Sequence, residues 1–206
     1  MKFSRMEKMI IIVIISLGLF LGLVFNRTKY LGPLELPEPE QVMLRLSKEI
    51  VVEGKKGPVT LEKVATYKVK AGVRGRKNYR LDSLTKISPM DLVLAWGNLN
   101  QLDSVNSVSY RQLGRCYIYE INGNSRITKS YVEEHSSNTH IIPADERVLR
   151  SLKRIRKNHY VELEGYLVNV YFGEGVSYIW LTSLSRTDTG SGSCEIFYVT
   201  RVRVYR

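Results

Sequence analysis

Two polar segments of this chain hold residue types that do chemistry. One runs from His135 through Ser136, Ser137, Asn138 and Thr139 to His140; the other runs from Ser183 through Arg186, Thr187, Asp188, Gly190 and Gly192 to Cys194 and Glu195. Brought together, His140, Asp188 and Cys194 would supply a base, an orienting carboxylate and a thiol, the parts of nucleophilic catalysis. Against that, Cys194 opens a predicted strand and lacks the helix N-terminus that lowers a thiol pKa. No G-x-S-x-G elbow is present, and His135, His140, Asp188 and Glu195 show no metal-ligand spacing, so neither metal nor cofactor is expected. Binding asks less of the geometry: Arg186, Thr187 and Asp188 beside the backbone amides of Gly190 and Gly192 suit an anion-holding nest. In that role Arg186→Ala is expected to leave folding intact. Both segments also have the composition of ordinary ordered loops.

The elements that must position these segments read mostly as strand. Tyr67, Val69, Ala71 and Val73 alternate with Lys68, Lys70 and Arg74, the pattern of a half-buried strand. Further strands are predicted at Cys116 to Ile121, Tyr160 to Phe172, Val176 to Ser183 and Cys194 to Val204, the last with Ile196, Tyr198, Val202 and Val204 on one face. Gly173-Glu174-Gly175 suits a hairpin, and Gly165 a bulge. Ser88-Pro89-Met90-Asp91 reads as a helix start, continued by Leu92, Val93, Ala95 and Trp96 and stopped by Gly97. A second helix begins near Pro143-Ala144-Asp145, with Val148, Leu152 and Ile155 as its apolar stripe. Its other side carries Arg147, Arg150, Arg154 and Lys157, a candidate anion-contact face. The expected fold class is α+β, mostly β: a small OB-like or SH3-like barrel with one or two helices packed on it.

The seventeen residues Met9 to Phe25 contain no charge and are flanked by Lys2, Arg5 and Lys8 before and Arg27 and Lys29 after. As a helix the run would be about 26 Å long, enough to span if its flanking cations snorkel. It ends without the small-residue cleavage pattern of a signal peptide. The expected organisation is a basic tail at 1–8, an uncleaved transmembrane anchor at 9–26, a proline-bearing spacer at 27–59 and a β-rich domain at 60–206. The short basic tail favours a cytoplasmic N-terminus and an extracytoplasmic, periplasmic domain; the inverted topology is the alternative. The net charge is +11, of which +7 remains on residues 31–206. That balance suits an anionic ligand or an envelope protein partner. No zinc spacing, RNP motif or basic heptad helix is present, so no specific nucleic acid is expected. Two cysteines, Cys116 and Cys194, could pair or remain free.

The strings SPMDLVLAWG at 88–97, HSSNTHIIPAD at 135–145, VELEGYLVNV at 161–170 and SLSRTDTGSGSCE at 183–195 give the chain a resemblance. It resembles an uncharacterised family of bacterial membrane-anchored proteins that share the SSNxHIIPA and SLSRTDTGxGxCE motifs. The resemblance implies a common arrangement and a bacterial inner-membrane setting, but no reaction. Relatives carry a Trp-rich segment before the last motif, where this chain has Ser177-Tyr178-Ile179-Trp180. The leading expectation is a single-pass envelope protein whose domain binds or scaffolds without catalysis. The alternative is a membrane-tethered hydrolase or thiol enzyme using His140, Asp188 and Cys194.

Overall fold

The computed structural model describes residues 35–205 apart from 124, 174–177, 189 and 191, without the side chains of Leu102 and Asp103. The tail at 1–8 and the anchor expected at 9–26 lie outside the described residues. Among the described residues no helix is long and apolar enough to cross a membrane.

One long strand organises a mostly-β α+β fold. Strand β1 (Glu40–Gly54) turns into β2 (Gly57–Asn78), and β3 (Met90–Ala95) leads through a 3-10 turn to helix α1 (Leu102–Ser107). A hairpin of β4 (Val108–Leu113) and β5 (Cys116–Ile121) precedes α2 (Lys129–His135) and β6 (Ser136–Pro143). Helix α3 (Glu146–Leu152), β7 (Tyr160–Phe172), β8 (Ile179–Trp180) and β9 (Ile196–Tyr205) complete it. Strand β2 pairs with β1, β3 and β7, all antiparallel. From β3 the pairing continues to β6, in parallel to β9, and from β9 back to β7. Register breaks at Lys63/Ala65 and at Val73/Gly75 leave Val64 and Arg74 as extra residues. Such bulges bend a strand and raise its twist, which lets β2 serve three neighbours along its length.

The alternation read in β2 holds through Ala71, with Tyr67, Val69 and Ala71 buried between half-buried Lys68 and Lys70, but Arg74, read on the polar side, is buried beside Val73; Tyr67 meets Phe197 edge-on at 4.9 Å. Helix α3 also forms as expected. Asp145 caps it by accepting from the Val148 N–H at 2.7 Å, and Val148, Leu152 and the following Ile155 are buried. It stops at Leu152, so Arg154 and Lys157 stand in the turn beyond, exposed like Arg147 and Arg150.

Three expectations change. The helix read at Ser88 to Gly97 is strand β3, whose six residues are all buried. A strand covered on both faces shows a continuous apolar run, which periodicity cannot separate from a buried helix. The spacer read at 27–59 gives way over Glu40–Gly54 to β1, and Leu36 is already buried and bridged to Gly97. In β9 the four apolar residues do not share a face. Glu164 pairs Arg201 while Gly165 pairs Val199, leaving Thr200 as an extra residue that reverses the alternation. Phe197, Val199, Val202 and Val204 therefore face one core, and Ile196 and Tyr198 another. Gly165 sits at this bulge as expected, because a Cβ there would collide with the Tyr198 carbonyl oxygen.

Candidate functional site

Asp91 is the one charge inside the apolar run of β3, and it is fully buried. A carboxylate taken out of water must be paired or hydrogen-bonded, and Asp91 has four partners, one of them the Asn138 amide, which donates to Oδ2 at 3.4 Å. The β3–β6 register sets it opposite His140, whose Nδ1 lies 2.9 Å from its Oδ1. The Tyr79 hydroxyl donates to Oδ2 at 2.7 Å, and Arg115 Nη1 lies 3.3 Å from Oδ1. Arg115, in the turn between β4 and β5, also grips Asp82 with two donors (2.9 and 3.1 Å) and stacks 3.9 Å over the Tyr79 ring. Asn138 on β6 donates to the Arg115 carbonyl at 2.9 Å. This network fastens the β4–β5 hairpin against β3 and β6.

Between that hairpin and residues 185–195 opens a cleft of about 750 Å³. Tyr117 and Tyr119 form its aromatic wall, their rings 6.2 Å apart and both close to Tyr110. On its floor lie Trp96, Arg186 and Glu195. Arg186 Nη1 donates to the buried Glu195 Oε1 at 2.8 Å, and Nη2 to Gln41 Oε1 on β1 at 3.0 Å. The guanidinium sits 5.2 Å from the Tyr67 ring centroid and 5.5 Å from that of Trp96. Burial raises the Glu195 pKa above the usual carboxylate range, with the Arg186 charge pulling the other way. Two buried polar atoms of these residues, Trp96 Nε1 and Glu195 Oε2, have no hydrogen-bond partner of ordinary geometry among the described residues, although the Ser137 side chain lies near enough to Glu195 to favour its charged form.

The three residues of the catalytic alternative each have a different partner. His140 is buried, bonded to Asp91 and packed against Trp180 at 4.6 Å. Asp188 accepts from the Ser183 hydroxyl at 2.7 Å. Cys194 lies 3.8 Å from Asn138 Nδ2, and burial pushes its thiol up to about 12, so it rests protonated. Cys194 and Cys116 are both free and both line the cleft. Among the described residues no three His, Cys, Asp or Glu side chains gather as metal ligands.

The binding candidates divide. Gly190 and Gly192 have positive φ (85° and 96°), and Thr187 N–H donates to Ser185 Oγ at 3.1 Å. Arg186 does not point into that loop, since its donors are engaged by Glu195 and Gln41. Arg147, Arg150, Arg154 and Lys157 do not line the cleft. Sequence reasoning missed Asp91, Arg115 and Trp96. The signal for Asp91 was available, because a lone acid in an apolar run implies buried partners. Comparisons with protein-family models, curated proteins and solved structures find no match to this chain.

Proposed function

We propose that the chain is a single-pass envelope protein whose extracytoplasmic domain binds a partner at this cleft without catalysing a reaction. The circuit β2–β3–β6–β9–β7, with one parallel pair and α3 connecting β6 to β7, supports reading the domain as an OB-like barrel. In such barrels ligands lie on one strand face between connecting loops. The loop before β9 and the inserted β4–β5 hairpin are the corresponding walls.

The observation that carries this reading is the pair of unpartnered polar atoms, Trp96 Nε1 and Glu195 Oε2, buried in two residues of the cleft floor. A buried donor or acceptor left without a partner costs about 1–3 kcal/mol, and a ligand that satisfies both recovers that cost. Such a ligand offers an acceptor to the Trp96 indole N–H, a donor to Glu195 Oε2, and an apolar face to Tyr117 and Tyr119. Hydroxyl and amide groups of a cell-wall component meet these demands. The test is a titration of the full chain in detergent with soluble cell-wall fragments, following the Trp96 indole N–H by NMR. The expected result is a saturable shift of that resonance and, by calorimetry, weaker binding of the same fragments to Trp96→Phe, with the fragment recovered intact. Recovery of a cleaved fragment would replace the binding reading with an enzymatic one, and no shift would remove the cleft as the binding site.

A further inference from the structure

Most of the cations that pair along the sheets do so with neighbouring carboxylates. Lys68 and Arg203 reach Glu162, and Arg201 reaches Glu164. Several other cations have no such carboxylate partner among the described residues, and some of these lie close together. Where β2 ends beside the turn after α3, a groove of about 680 Å³ is lined by Arg74, Arg76, Lys77, Arg156 and Lys157, with no acid among its lining residues. Arg74 is deeply buried and held by the Leu99 carbonyl and the Asn100 side chain, so it contributes a fixed charge beneath the groove. No carboxylate among the described residues pairs with Arg76, Lys77, Arg156 or Lys157.

The fold imposes this crowding. Arg76 Nη1 donates to the Ile155 carbonyl at 2.6 Å and Nη2 to Asn78 Oδ1 at 3.1 Å, while its buried Nε has no partner. Those bonds hold the guanidinium beside the chain at Arg156. Burial, and then the like charge of Arg156, push the Arg76 pKa down. Like charges held together without a counter-charge are unfavourable, and a bound anion relieves them. A planar guanidinium also matches phosphate oxygens in geometry. Beyond the groove, Arg147, Arg150, Lys153 and Arg154 continue the positive surface.

We propose that this groove is a binding site for phosphate groups, separate from the cleft that holds Trp96 and Glu195. The phosphate comes either from a lipid headgroup or from a soluble phosphate polymer, and both present the same chemistry to Arg76, Arg156 and Lys157.

The test uses the full chain in non-ionic detergent, titrated at low salt with inorganic polyphosphate, short-chain phosphatidylglycerol and short-chain phosphatidylcholine. Calorimetry reads affinity, and NMR reads the amides of residues 74–78 and 155–158. Saturable binding of polyphosphate or phosphatidylglycerol that shifts those amides and weakens with salt is expected, with phosphatidylcholine binding least. Tighter binding of phosphatidylglycerol identifies the lipid source, and tighter binding of polyphosphate the soluble one. At about fivefold per charge removed, the double variant Arg156→Gln, Lys157→Gln weakens binding about twenty-five-fold. Both residues are exposed, so the variant retains the fold, and Arg126→Gln, exposed and lining neither the groove nor the cleft, changes affinity less than twofold. Equal affinity of the double variant and the unaltered chain would overturn the proposal. So would phosphate-induced shifts confined to the Trp96 indole, or no saturable binding of either phosphate probe.

Discussion

Arg186 and Glu195, nine residues apart on one loop, form a 2.8 Å ion pair whose carboxylate is buried and whose guanidinium is three-quarters covered. The arginine that sequence reasoning offers to an external anion is therefore spent inside the protein. Arg186→Ala is expected to destabilise the fold by about 3 kcal/mol, because it leaves a buried carboxylate without its counter-charge. Denaturant unfolding measures this, and pairing the change with Glu195→Gln restores part of the loss. A loss below about 1 kcal/mol would show that the pair is dispensable and return Arg186 to a purely binding role.

Glu195 also sets a pH dependence. Its pKa in the folded protein is raised above the ordinary value of 4.5, chiefly by burial. The folded state therefore holds this proton more tightly than the unfolded chain. The resulting stabilisation is complete below about 4.5 and is lost as pH rises through the folded value. The stability of the unaltered chain relative to Glu195→Gln should decline as pH rises from 4 toward 8. Comparing the two chains cancels Glu62, Asp82 and Glu162, whose pKa values are lowered and act in the opposite sense. A difference that stays flat or grows across that range would contradict the assignment.

The two cysteines should react unequally. Cys116 is exposed, whereas Cys194 is partly covered and its thiol is pushed up to about 12. Alkylation needs the thiolate. At pH 8 iodoacetamide should modify Cys116 and spare Cys194 until the chain is unfolded, as read by peptide mass mapping. Equal rates at both would show that Cys194 is activated, which would revive the thiol-enzyme alternative.

Gly165→Ala tests the bulge that aligns β7 with β9. A methyl group there runs into the Tyr198 backbone rather than into a side chain that can rotate away. Backbone must move, so the expected cost is at least about 3 kcal/mol in thermal or urea unfolding. A change under 1 kcal/mol would mean that β9 can re-register without Thr200 as its extra residue.

What could be read from the chain alone followed local rules. The alternation in β2, the ends of β5 and β7, the cap and stripe of α3 and the bulge at Gly165 depend on side-chain period, turn chemistry and capping, all of which are local. The polar segments at 135–144 and 183–195 were also legible as unusual. Which partner each polar residue takes was not. His140 could have faced Asp188, but the β3–β6 register sets it opposite Asp91, forty-nine residues away. The strand identity of Met90–Ala95 depends on β2 and β6 covering it, and the facing of β9 on one extra residue. Arg186 turned inward because Glu195, Gln41, Tyr67 and Trp96 converge there from β1, β2, the end of β3 and the start of β9. Residue type and spacing determined which groups were present. Only long-range pairing decided which charges were satisfied and which polar atoms were left unspent.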